Sequence, residues 1–277
     1  MPKPSHLFSP VITTSRSSTY ECDLNGHKSN STYFSDLDIA RTHLVCHLTK
    51  GSFSQRRQRG EPVMYVALAG VTALFRREIK PFARYAVYSR VLCWDRKWLF
   101  VVSHFVDPAP PRKGSSPPPP KDRGGKERVV YASCLSKYVF KSGRKTVAPE
   151  VVLRESDLLP ARPAGYEELD TGSGASSSGI DTPLAGLRGG LLGEARLEAA
   201  VERIVNDDLA RTGADTRTAS DHDGDGMWPW DKIEAERRRG MEIAKAMLGL
   251  DDLVDEFREG IASEGGLEAV GPFYAGW

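Results

Sequence analysis

Residues 21–33 read Glu21-Cys22-Asp23-Leu24-Asn25-Gly26-His27-Lys28-Ser29-Asn30-Ser31-Thr32-Tyr33. A carboxylate precedes a Gly-His turn, and the turn runs straight into polar residues suited to starting a helix. The hydroxyl and amide oxygens of Ser29 to Thr32 are N-cap groups, and Asn30 reads as the cap. Phe34, Leu37, Ala40, Leu44 and Leu48 then recur near the helical period, which predicts a helix over 31–49. Gly51 suits its stop. Residues 51–61, with Arg56, Arg57 and Arg59, read as a solvated basic loop.

Strands follow. Residues 62–75 are apolar and partly β-branched, and residues 84–94 alternate with the strand period. The tetrad Asp95-Arg96-Lys97-Trp98 reads as a hairpin turn, 98–106 as its return strand and 128–140 as a further strand. One helix before about four antiparallel strands predicts an α+β domain over residues 1–160. Within it, the Pro/Gly/Lys-rich stretch 107–127 reads as an exposed, disordered insertion. Residues 161–230 read as a flexible Gly/Ser-rich linker with a short helix at 193–211, and 231–277 as a helical tail, strongest over 231–258. Glu234 and Arg238 stand four apart, a spacing that supports a helix.

The segment 23–33 makes chemical sense as an acyl-transfer site. A helix start offers unpaired N–H groups and partial positive charge, which can hold the oxyanion formed on a carbonyl. Asp23 is placed to attack that carbonyl or to activate water, and His27 to orient a group or carry a proton. The plainer readings are a turn-capping Asp23 and a His27 that packs beside the helix start.

The pattern D-x-x-x-H-x-x-N-x-x-Y, met by Asp23, His27, Asn30 and Tyr33, resembles the signature of 4-hydroxybenzoyl-CoA-type thioesterases. It continues through Phe34 to Arg41, ending in the pair Ala40-Arg41. The stretches 75–82 and 94–98 are also similar to that family, in its fungal thioesterase-like branch, and so is the tail from Trp230 to Leu253. The resemblance implies a hotdog fold, a central helix wrapped by an antiparallel sheet, with a C-terminal helical extension. It implies hydrolysis of acyl-CoA or acyl-carrier-protein thioesters in fungal secondary-metabolite biosynthesis. It implies Asp23 and His27 as catalytic residues, and Asn30, Ser31, Thr32 and Tyr33 as substrate-binding ones. It also implies a dimer; a half-exposed strand edge, a liability in a monomer, predicts a homodimer or a dimer of dimers, and no cofactor is expected. The rival is a hotdog that binds an acyl chain or scaffolds a complex through its tail.

Composition narrows the classes further. A net charge of +1 gives no field favouring nucleic acid. Cys22, Cys46, Cys93 and Cys134 are widely spaced, with no CxxC pair, and read as free thiols, Cys46 and Cys93 in the core. His43, His47 and His104 are too scattered for a metal site. Arg41 reads as a carboxylate partner, and Trp94 and Trp98 as packing residues beside the hairpin. Asp221 to Gly226 opens like a calcium loop, but Lys232 stands at the twelfth position, where a bidentate Glu is needed, and Pro229 at the ninth. Gly172 to Gly179 holds no G-x-S-x-G. No stretch reaches the ~20 apolar residues of a membrane span, and MPKPSHLFSP lacks a signal-peptide run, so a soluble cytoplasmic protein is expected.

Overall fold

The structure is a computed structural model that describes residues 6–108, 129–161, 163 and 228–252. One antiparallel sheet holds β1 (Val11–Arg16), β2 (Met64–Phe75), β3 (Arg84–Trp94), β4 (Trp98–Val106), β5 (Val130–Ser142) and β6 (Lys145–Val147). Its order is β1-β3-β4-β5-β2, with β6 paired to β5. Among the described residues three α-helices complete it: α1 (Asn30–Gln58), α2 (Pro149–Glu155) and α3 (Trp230–Leu248). This long helix laid on a curled antiparallel sheet is the hotdog fold, as the 23–49 segment led one to expect.

α1 lies against one sheet face. Tyr33, Leu37, Ala40, Leu44 and Leu48 are its buried stripe, the spacing that places side chains on one side of a helix. They meet Tyr85, Val87 and Val91 of β3 and Leu99, Val101 and Phe105 of β4. The opposite face carries Leu92, Cys93, Phe100 and Val102, and α3 covers it with Ala244 and Met247. Because both faces are covered, β3 and β4 are buried along almost their whole length, polar residues such as Ser89 and Ser103 included.

The hairpin turn is built as its sequence suggests. Asp95 Oδ1 accepts from the N–H groups of Lys97 and Trp98 at 2.7 and 2.6 Å, closing the β3–β4 link. Trp94 is buried and stacks on Phe8 at 5.9 Å. Arg41 is paired to Asp38, donates to Ser136 Oγ at 3.1 Å and lies over the Tyr138 ring.

Several expectations are corrected. α1 does not stop at Gly51 but runs on to Gln58. Gly51 lies tight against the C-terminal end of α2, since a Cβ there would stand 3.0 Å from the Cα of its C-cap, Ser156. The supposed solvated loop is therefore helix, and Arg56 is buried against α2, donating to Glu155 Oε2 at 2.7 Å and to Glu61 Oε2 at 2.8 Å. The polar composition hides this helix, because Ser52, Arg56 and Arg59 find their partner, Glu155, on a short helix far along the chain. Cys46 is exposed, on the solvent side of α1, whereas Cys93 and Cys134 are buried. β1, β6 and α2 were not foreseen. β1 is half-polar and owes its form to pairing with β3, Val11 to Arg16 against Ser89 to Arg84.

Helix α3 begins at Trp230 and ends at Leu248, followed by a 3-10 turn from Gly249 to Asp252. The Glu234–Arg238 pair is present at 2.8 Å. The greater part of the Pro-rich insertion, nearly all of the linker with its expected helix at 193–211, the Asp221 to Gly226 stretch and the tail after Asp252 lie outside the described residues. Among the described residues, no helix is long and apolar enough to cross a membrane.

Candidate active site

The expected site is assembled by a tight turn and the start of α1. Cys22 pairs with Lys28, the Asp23 N–H donates to His27 O at 3.0 Å, and the Gly26 N–H donates to Asp23 O at 3.0 Å. Gly26 sits at φ 75°, left-handed space that a Gly enters without strain. Asp23 Oδ1 accepts from the Asn25 N–H at 2.9 Å, so one oxygen steadies the turn. The Asp23 side chain keeps 33% of its surface exposed, and His27 Nδ1 stands 3.7 Å from Asp23 Oδ1. The structure thus brings the two expected catalytic side chains together, at ion-pair rather than hydrogen-bond distance.

The helix start differs from expectation in one detail. Ser29, not Asn30, is the N-cap, with extended φ −62° and ψ 138°. The Ser29 N–H is drawn to Glu21 O at 2.7 Å, which holds Ser29 outside the helix. Its hydroxyl meets Ser31 Oγ at 2.9 Å, and no side chain caps the helix. Asn30 is therefore the first helical residue, and it is exposed together with Ser31. The first-turn N–H groups of Asn30 and Ser31 have no side-chain acceptor, the condition that leaves a helix start able to bind an oxyanion. Thr32 is tied inward, its hydroxyl donating to Ser29 O at 2.7 Å. Tyr33 is 2% exposed, with its ring 5.1 Å from Phe75 and 5.0 Å from Phe105. In the single chain it is a core residue beneath the site, and burial pushes its phenol up to about 12.

Two features went unread in the sequence. The first is a buried charge cluster behind the turn. Lys28 Nζ donates to Glu21 Oε2 at 2.8 Å and pairs with Asp36 Oδ2 at 2.7 Å, and Tyr85 OH donates to that same Asp36 oxygen at 2.7 Å. Burial opposes the Lys28 charge, but the bonds to Asp36 and Glu21 outweigh it and raise its pKa. The second is a cavity of about 650 Å³ beside the turn, lined by Arg76, Arg77, Glu78, Lys80, Ala83, Val129 and Tyr131. The Lys28 N–H donates to Ile79 O at 2.9 Å, and Ile79 stands in the chain between the lining residues Glu78 and Lys80.

The sequence profile of the thioesterase-like superfamily matches residues 17–155. Thioesterase poxG of Penicillium oxalicum is 37% identical over 267 residues, 91% of this chain and 70% of its own length. Probable thioesterase atnL of Emericella nidulans is 41% identical over 198 residues, 64% of this chain and 61% of its own length. Among solved structures, 4-hydroxybenzoyl CoA thioesterase from Pseudomonas sp. strain CBS-3 aligns over 53% of this chain and 99% of its own, at 15% identity and a TM-score of 0.39. The chain belongs to the thioesterase-like superfamily.

Proposed function

We propose that this chain hydrolyses an acyl thioester at the turn formed by Asp23 and His27, with the N-terminus of α1 holding the carbonyl oxygen. The observation that carries the reading is a half-exposed carboxylate fixed beside an uncapped helix start. In the general-base route Asp23 takes a proton from water, the hydroxide adds to the carbonyl and the C–S bond breaks. The thiolate then takes up a proton, giving a carboxylic acid and a thiol. In the nucleophilic route an Asp23 oxygen displaces the thiolate, and water opens the resulting anhydride. Both routes develop negative charge on the acyl oxygen, which the open N–H groups of Asn30 and Ser31 would receive. His27 stands close enough to Asp23 to help return the proton to the leaving sulfur.

The basic cavity supports a phosphate-bearing thiol as the leaving group. Arg76, Arg77 and Lys80 supply the positive lining beside the turn, and coenzyme A or the phosphopantetheine arm of a carrier protein supplies the phosphates. Fungal secondary-metabolite biosynthesis is the setting in this reading, in keeping with relatives that are thioesterases of the fungi Penicillium and Emericella. The unit is a homodimer in this reading. β2 is an outer strand of the sheet whose second edge has no partner among the described residues, and Tyr65, Leu68 and Phe75 are exposed along it. A long apolar edge of this kind calls for a second copy. The scaffolding alternative has no comparable support, because α3 spends its apolar side on the sheet of its own chain.

The test is Asp23→Asn in a thiol-release assay over acyl-CoA and acyl-carrier thioesters of graded length. The expected loss is about 10²–10⁴ in rate with an unchanged melting curve. A folded Asp23→Asn protein working at the wild-type rate would remove Asp23 from the mechanism.

A further inference from the structure

Lys28 is an unusual residue to find where it is. Its side chain has 0% exposure, and the ammonium lies among Glu21, Asp36 and the rings of Tyr33 and Tyr85, 5.6 and 5.3 Å away. A buried ammonium is costly unless it is fully paired, and an apolar side chain would fill the same space without that cost. What the charge adds is direction. Its two carboxylate partners sit on different elements: Glu21 ends the 3-10 turn Thr19–Glu21, and Asp36 lies in the second turn of α1. Glu21 is itself fixed, accepting from the Ser18 N–H at 3.3 Å, and Asp36 is fixed by Tyr85 of β3. The main chain of Lys28 meanwhile pairs with Cys22 across the turn and with Ile79. Lys28 therefore ties together both legs of the Asp23 turn, the helix start and the sheet.

We propose that Lys28 is a positioning residue, whose paired ammonium locks the Asp23 turn in register with the N-terminus of α1. The proposal rests on the reading that these two parts act on one thioester carbonyl. Lys28 has no exposed surface with which to touch substrate, so its effect passes through the turn. A displacement of the reacting group by about 1 Å costs up to ~10²-fold in rate. Loss of the lock should therefore lower kcat and leave KM nearly unchanged.

The experiment uses the full chain and two variants. Lys28→Met keeps the length and removes the charge, leaving Asp36 and Glu21 without their cation. Lys28→Met/Asp36→Asn also removes the stranded carboxylate charge, while the amide oxygen still accepts from Tyr85 OH, so it separates folding from positioning. Both are compared with wild type by melting temperature, by kcat and KM on acyl-CoA thioesters, and by hydrogen exchange of the 22–29 segment. The expected result is a double variant with a near wild-type melting temperature, kcat lower by about 10- to 100-fold, KM within a few-fold and faster exchange in 22–29. A double variant with wild-type kcat and wild-type exchange overturns the proposal. A wild-type protein inactive across the panel would instead sink the hydrolase reading, and the exchange of 22–29 would then decide the positioning role by itself.

Discussion

Gly240→Ala sets two physical effects of opposite sign against each other. Gly240 lies inside α3, and helix propensity alone says that Ala there should stabilise by about 1 kcal/mol. The packing says otherwise. A Cβ on Gly240 would overlap the carbonyl oxygen of Leu92 and stand 2.8 Å from Cys93 Cβ. Neither neighbour is a flexible side-chain end: one is β3 backbone and the other a fully buried Cβ. α3 must back away, and in doing so it loosens Ala244 and Met247 from Leu92, Phe100 and Val102. Overpacking of this kind costs about 1–3 kcal/mol. Set against the propensity gain, the net change should be destabilising by up to about 2 kcal/mol, with about 1 kcal/mol at the middle of the range. Gly249→Ala is the internal control: φ is −61° and nothing lies within 4 Å of a Cβ there, so that variant should be neutral or slightly stabilised. Urea unfolding followed by circular dichroism and by tryptophan emission, to which Trp230 contributes, measures both. With a slope of ~2–3 kcal/mol/M, the expected midpoint shift for Gly240→Ala is about 0.5 M downward. A Gly240→Ala protein at or above wild-type stability would refute the close seating of α3 on β3.

His104 is buried, hydrogen-bonded to Ser133 Oγ at 2.9 Å, and burial, aided by Arg90 and Arg76, lowers its pKa to about 3. The unfolded chain then binds the extra proton below pH ~6.5 and the folded chain does not, so stability is full above that pH and falls as pH drops toward 3. Between pH 7.5 and 5.5 the loss from this residue should be about 1 kcal/mol, and His104→Asn should flatten that slope in urea titrations at the two pH values; an unchanged slope would argue against a neutral buried imidazole. Asn30→Ala should shift stability by less than ~0.5 kcal/mol, because Asn30 is exposed and is not the cap; a loss near 1 kcal/mol by thermal melting would restore Asn30 to the capping role.

How legible the molecule is from its sequence depends on where each signal resides. β3 and β4 carry their own evidence, and their ends coincide with expectation because Asp95 closes the turn through its own side chain. The core stripe of α1 is equally local, since its burial follows its spacing. The second half of α1 is not local: Ser52 and Arg56 are buried only because Glu155 and Ser156 wait for them on α2. No window around residues 51–58 contains that information. β1 has the same difficulty, because its partner is β3. In the site, Asp23 and His27 stood out as residue types that do chemistry, whereas Lys28 between the same turn and helix drew no notice. A lysine is by default a solvated surface residue, and only the arrival of Asp36, a full helical turn beyond Tyr33, and of Glu21 from the other side makes it a buried one.

That contrast bears on how such a site can be built at all. A carboxylate meant to attack or to activate water has to stay half-wet and lightly bonded, so Asp23 has few contacts of its own to hold it in place. An oxyanion site at a helix start must likewise leave its N–H groups uncapped, which gives up about 1 kcal/mol of helix stability. Both working parts are therefore weakly held by their own interactions. The rigidity has to come from behind: from the Ser29 N–H on Glu21 O, from the Lys28 N–H on Ile79 O, and from the Glu21–Lys28–Asp36–Tyr85 chain. None of those bonds uses the Asp23 carboxylate or the Asn30 and Ser31 N–H groups, which stay available to a substrate carbonyl.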